Sequence, residues 1–157
     1  TPLGLGLIAW AGGVVLVNCA PLFVSEEARR YDEEWGFSGP RARELRAAGA
    51  DSAAVRDSLR VWAARAPHAT LAQVADHMDH IRQVCGRDCV GLGSDFDGIS
   101  STPTGLENVS KFPDLLAELL RRGWSDADVR RAAGENVLRV MRRVEDVGRE
   151  AGKRDGR

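Results

Sequence analysis

Apolar residues recur along this chain at two different periods. Val14 to Val17, following Gly12 and Gly13, is a short β-branched run, and Cys89 to Gly93 is a second brief apolar stretch bounded by turn residues. Both predict buried parallel strands. Elsewhere the period is helical. Ser25 with Glu26 and Glu27 opens a helix ending before Gly36, and Gly36 to Pro40 is a turn. Arg41 to Ala48 and Asp51 to Arg65 are two more helices, the second capped by Asp51 with Val55, Leu59 and Trp62 on one face. Thr70 and Gln73 make a capping box for a helix whose stripe is Leu71, Val74, Ala75, Met78, Ile81 and Cys85, stopped by Gly86. Phe112 to Arg122 is amphipathic and stopped by Gly123. Ser125 caps the last region, where Val129, Ala132, Ala133, Val137, Val140, Met141 and Val144 are expected inward and Gly134 divides it in two. Residues 1–147 form the domain portion, and 148–157 is expected to be a frayed polar tail.

Two strands against five or six helices is an unbalanced inventory. Parallel strands need both faces covered and both edges paired, so a larger parallel sheet is implied. The chain therefore predicts one portion of an α/β unit rather than a whole one.

Composition narrows the partners. The 157 residues are 43% hydrophobic and 29% charged, with a formal net charge of −1. Such a balance leaves no cationic excess for a phosphate backbone, which excludes nucleic acid as the expected partner. Thr1 to Ser25 is uncharged but broken by Gly4, Gly6, Gly12, Gly13, Pro2 and Pro21, so a buried strand is favoured over a transmembrane segment. Cys19, Cys85 and Cys89 are an odd number without a disulfide framework, read as buried thiols in a reducing compartment, with the cytoplasm favoured over the exterior. His77, His80, Cys85 and Cys89 have poor spacing for a zinc site.

The chemistry concentrates where the second strand ends. Cys89 to Gly98 reads Cys-Val-Gly-Leu-Gly-Ser-Asp-Phe-Asp-Gly, placing Asp95 and Asp97 at a strand tip. Carboxyl ends of parallel strands face the ligand crevice, because helices cover the sheet faces. The ordinary alternative is a turn cap and a solvated acid. The uninterrupted stretch from Asp95 to Ser110 marks a site loop.

Several segments, in order, resemble the membrane (renal) dipeptidase family of zinc metallopeptidases: Gly12 to Asn18, Leu71 to Arg82, Val90 to Gly98, Gly105 to Pro113 and Leu119 to Trp124. The resemblance implies the carboxyl-terminal part of a (β/α)8 barrel, with these strands as its last two. It implies a dipeptide substrate and two zinc ions, whose His, Asp and Glu ligands lie before the region covered here, so this chain holds none of the metal and is inactive alone. Asp95 matches the family's substrate-binding and proton-handling aspartate, while Asp97 matches no role. Phe23 is a candidate wall of the substrate pocket, although core burial is the commoner fate of phenylalanine. Thr1 to Gly6 departs from the amphipathic helix the family carries before the Gly-Gly turn. A homodimer is left open.

Two other readings compete. Asp95-Phe-Asp-Gly-Ile resembles the first motif of aspartate-nucleophile phosphatases, but Ile99 stands where that motif has threonine. A calcium loop fails on Ile99 and Leu106 at ligand positions. The non-enzymatic reading is a helical remnant or interaction module that exposes apolar edges and self-associates.

Overall fold

The computed structural model describes residues 1–154. In chain order the elements are α1 (Pro2–Trp10), β1 (Val15–Asn18), α2 (Pro21–Val24), α3 (Glu26–Trp35), α4 (Pro40–Ala47), α5 (Ser52–Ala63), α6 (Leu71–Cys85), β2 (Val90–Ser94), α7 (Phe112–Arg121), α8 (Asp126–Arg130) and α9 (Asn136–Arg154). A π-helical turn, Arg131–Glu135, joins the last two helices.

β1 and β2 form a parallel pair in which Val15 lies opposite Val90 and Val17 opposite Leu92. The register then slips, so that Asn18 pairs with Ser94 and Gly93 is passed over. Such a bulge turns the strand ends and re-aims their side chains. Gly93 makes it sterically feasible, since a Cβ there would lie 3.0 Å from the Leu16 backbone and from the Val17 carbonyl.

α6 carries the core. Thr70 accepts from Gln73 N and the Gln73 side chain answers at Thr70 N, closing the capping box, and Gly86 ends the helix at φ 90°. Val74, Ala75, Met78 and Ile81 are buried beneath it, packed with Val17, Val90, Leu106, Leu115, Leu119 and Trp124. Polar contacts fix the helices to the sheet. Asn136 Nδ2 donates to the carbonyls of Arg87 (2.9 Å) and Val90 (2.8 Å), and Arg139 donates to Gly12, Gly13 and Asp88 carbonyls. Arg122 gathers Asp76, Asp79 and Glu118 between α6 and α7.

Two expectations are corrected, at the cysteines and in the last helix, while both ends of the chain add detail. Residues 2–10 are helical despite two glycines, because Thr1 caps the first turn and Pro2 occupies a position where no N–H is needed. The helix is not amphipathic: Leu3, Leu7 and Trp10 are exposed, and Leu5 packs on the core. Cys85 and Cys89 are joined in a disulfide between the end of α6 and the start of β2, leaving Cys19 as the free buried thiol. The case for three free thiols, and the compartment argument built on it, loses its premise. Met141 and Val144 face outward, 54% and 65% exposed, and Ala133 is exposed too, because the π turn at Gly134 rotates the following helix. α9 runs through Gly148 to Arg154, and residues 155–157 of the expected tail lie outside the described residues. Among the described residues no helix is long and apolar enough to cross a membrane.

Candidate active site

The tips of both strands open into one cavity of about 950 Å³. Asp95 stands one residue past β2 and Asn18 is the last residue of β1. The bulge brings them together: Asn18 Nδ2 donates to Asp95 Oδ2 at 2.8 Å, while Asn18 Oδ1 accepts from Ala20 N at 2.7 Å. Asn18 is thereby fixed at both ends of its amide, and it fixes one carboxylate oxygen. The other oxygen, Oδ1, faces Gly98, where a Cβ would sit only 2.6 Å away.

The backbone beneath this carboxylate is held in an unusual conformation. Ser94 and Asp95 have φ of 52° and 66°, consecutive non-glycine residues in the left-handed region. Each such residue costs on the order of 1 kcal/mol, and such conformations persist where surrounding contacts impose them. Here Cys19 N donates to the Ser94 carbonyl (2.9 Å) and Gly98 N to the Asp95 carbonyl (3.0 Å). The strain turns the chain sharply at the strand tip and leaves the Asp95 side chain at the cavity.

Phe23 lines the same cavity and is 59% exposed, so it is a wall residue rather than core. Asp97 is exposed and does not line it. The Asp95 to Ser110 stretch divides: Gly98, Ile99, Ser100 and Ser101 border the cavity, but Thr104 is tied to the entry of α6 through Ala69 O (2.8 Å) and Leu71 N (3.0 Å). His77 and His80 lie exposed on α6, away from the cavity, whereas His68 lines it. So does Arg60, and neither His68 nor Arg60 forms an ion pair among the described residues.

Behind the site, burial pushes the Cys19 thiol up to about 11, partly offset by a hydrogen bond from the Ser94 backbone. A neutral thiol there is an inert packing group rather than a nucleophile. Among the described residues no group of three or more His, Cys, Asp or Glu side chains is placed to hold a metal ion.

Sequence reasoning selected Asp95 and Phe23 but missed Asn18, Gly98, Arg60 and His68. Asn18 was within reach of the same argument, being the polar residue that ends the first predicted strand. The others depend on how α3 to α5 fold back over the strand tips.

A strand-tip carboxylate beside a roomy cavity makes a candidate ligand site, and the comparisons with known proteins give the family. Residues 4–155 match the family model described as membrane dipeptidase (peptidase family M19). The chain belongs to that family. It is 55% identical over 78 residues to dipeptidase verJ of Clonostachys rogersoniana, a match covering 50% of this chain and 20% of that protein. It is 56% identical over 81 residues to dipeptidase aclJ of Aspergillus oryzae, covering 52% of this chain and 19% of that protein. The fold resembles the probable dipeptidase PvdM from Pseudomonas aeruginosa, with TM-score 0.69 and 26% identity over 88% of this chain and 38% of that one. It also resembles dipeptidase AC, a metallopeptidase of the same family, with TM-score 0.58 and 26% identity over 87% of this chain and 30% of that one. The matches thus take in about a fifth of the curated relatives and about a third of the solved structures.

Proposed function

We propose that this chain is the closing part of a metal-dependent dipeptidase barrel and supplies its substrate-facing carboxylate, Asp95. In this reading β1 and β2 are adjacent strands of a (β/α)8 barrel, whose other strands pair their outer edges and cover the exposed Leu3, Leu7 and Trp10. The substrate is a dipeptide with free termini. The observation that carries the proposal is the placement of Asp95 at a strand tip, anchored by Asn18 and open to the cavity.

Asp95 serves substrate binding and proton handling. A carboxylate is suited to a substrate ammonium through a charge-assisted hydrogen bond, and a strand-tip carboxylate is equally suited to hold a proton during amide cleavage. The Asn18 amide keeps it oriented, and the strained turn fixes its height above the sheet. Arg60 and His68 offer donors for the substrate carboxylate elsewhere in the cavity. The metal implied by the family, which we take to be zinc, would polarise the amide and activate water. Its ligands belong, in this reading, to residues outside the chain.

The test is dipeptide hydrolysis by the full protein that contains this segment. Asp95→Asn keeps the shape and the Asn18 neighbour but removes the charge, and is expected to lower kcat/KM by about a hundredfold or more. Undiminished hydrolysis would remove Asp95 from the site. The isolated 157-residue chain should cleave nothing, with or without added zinc. A homodimer and the non-catalytic interaction module are separated by the same preparation: light scattering gives the assembly, and zinc-responsive cleavage by the isolated chain would overturn the divided site.

A further inference from the structure

The cavity has a second wall, and its chemistry differs from that of the strand tips. From the exposed end of α2 through α3 to the turn before α4, it presents Phe23, Tyr31, Trp35 and Phe37, with Leu59 of α5 beside them. Tyr31 and Trp35 stack at 6.2 Å, and Trp35 meets Trp62 edge-on at 5.3 Å, so the wall is a braced aromatic cluster. Tyr31 Oη donates to the Trp62 carbonyl at 2.9 Å, tying α3 to α5.

Phe37 is the informative member. It is 70% exposed, yet it is held twice by Arg46, whose guanidinium lies 4.5 Å over the ring and donates to the Phe37 carbonyl at 3.1 Å. An exposed phenylalanine needs no such anchoring for the core, which it does not enter. Anchoring does lower the entropy lost when an apolar ligand group packs against it. Phe23, also exposed, borders the same space from the Asp95 side of the fold.

We infer that Phe37, with Phe23 and Trp35, selects dipeptides carrying an aromatic or large aliphatic side chain, which lies along the α3 to α5 wall while the peptide backbone engages Asp95. The inference rests on the dipeptidase reading above. Small side chains such as alanine leave these rings wet and gain nothing from them.

The experiment compares kcat/KM for Phe-Ala and Ala-Phe with that for Ala-Ala, in the full protein and in Phe37→Ala, Phe37→Leu and Phe23→Ala. Ratios taken on one preparation cancel any difference in the folded fraction, and both phenylalanines are too exposed for their removal to hollow a core. The wild type should favour at least one aromatic dipeptide over Ala-Ala by roughly tenfold. Phe37→Ala should reduce that ratio severalfold, Phe37→Leu should restore part of it, and Phe23→Ala should reduce it as well. A wild-type ratio near one, or a ratio unchanged in Phe37→Ala, overturns the aromatic wall alone. A wild type that cleaves none of the three overturns the dipeptidase reading and this inference with it.

Discussion

Asn18 and Asp95 lie 77 positions apart in sequence and 2.8 Å apart in space, amide nitrogen to carboxylate oxygen. The contact exists because the register slips at the end of β1, pairing Asn18 with Ser94 instead of Gly93. In the proposed site it positions the acid. Asn18→Ala should therefore lower kcat/KM for dipeptide hydrolysis by the full protein. Asn18→Asp should lower it further, since a carboxylate at this distance repels Asp95 where the amide donated to it. Steady-state kinetics of the three proteins decide it, and equal kcat/KM in all three would show that the contact does not position the acid.

Gly98 packs directly against the second oxygen of the same carboxylate. A methyl group there would fall 2.6 Å from Asp95 Oδ1, and a side-chain oxygen yields more readily than backbone. Gly98→Ala should therefore displace the carboxylate at little cost to the fold. The expected result is a loss of about tenfold or more in kcat/KM, the scale set by small misplacements of reacting groups, with the urea midpoint nearly unchanged. Equal falls in stability and activity would mean that the glycine serves the fold alone.

How far the sequence was legible depends on whether the deciding contacts are local. The capping box at Thr70 and Gln73, the Asp51 cap, the stops at Gly86 and Gly123 and the division near Gly134 are set within a few residues, and each is found where the spacing places it. The strand-tip argument reached Asp95 for the same reason. What it could not reach is the α3 to α5 wall, where Trp35 meets Trp62 and Tyr31 meets the Trp62 carbonyl across 27 and 31 positions. The disulfide escaped because four intervening bonds of sequence give no direction to a thiol until Gly86 turns the chain. Thr1 to Gly6 departs from an amphipathic helix as its composition suggests, yet the Thr1 cap and Pro2 still open a helix over Pro2–Trp10.

Asn136 predicts a stability effect remote from the cavity. Its buried amide gives both hydrogens to carbonyls, Arg87 at one side and Val90 at the start of β2, and so ties the π turn to the strand. Asn136→Ala deprives both carbonyls of a donor and should cost about 2 kcal/mol or more in urea unfolding. Asn136→Asp is expected to be worse at neutral pH, because a carboxylate then faces two carbonyl oxygens without a proton to offer. Dipeptide turnover per folded molecule should change little in Asn136→Ala. A wild-type midpoint in either variant would contradict the bond geometry.

Cys19 gives the last prediction, one with a definite direction in pH. The thiol is 2% exposed, and burial raises it from an ordinary value of 9.0 to about 11. At pH 8 the folded protein should resist iodoacetamide at this position, while the unfolded chain is alkylated; mass spectrometry of the Cys19 peptide reads the difference. In the same experiment Cys85 and Cys89 should take up label only after both denaturation and reduction. The linkage follows from the raised value. Below pH 9 both folded and unfolded chains keep the proton, and the group contributes nothing to pH dependence. Between about 9 and 11 the unfolded chain releases it first, so stability falls as pH rises through that window. Cys19→Ala should flatten this part of the curve, measured as the urea midpoint against pH. Rapid labelling of folded wild-type protein at pH 8, or equal slopes in wild type and variant, would show that the thiol is open to solvent and that the strand tips behind Asp95 are not sealed.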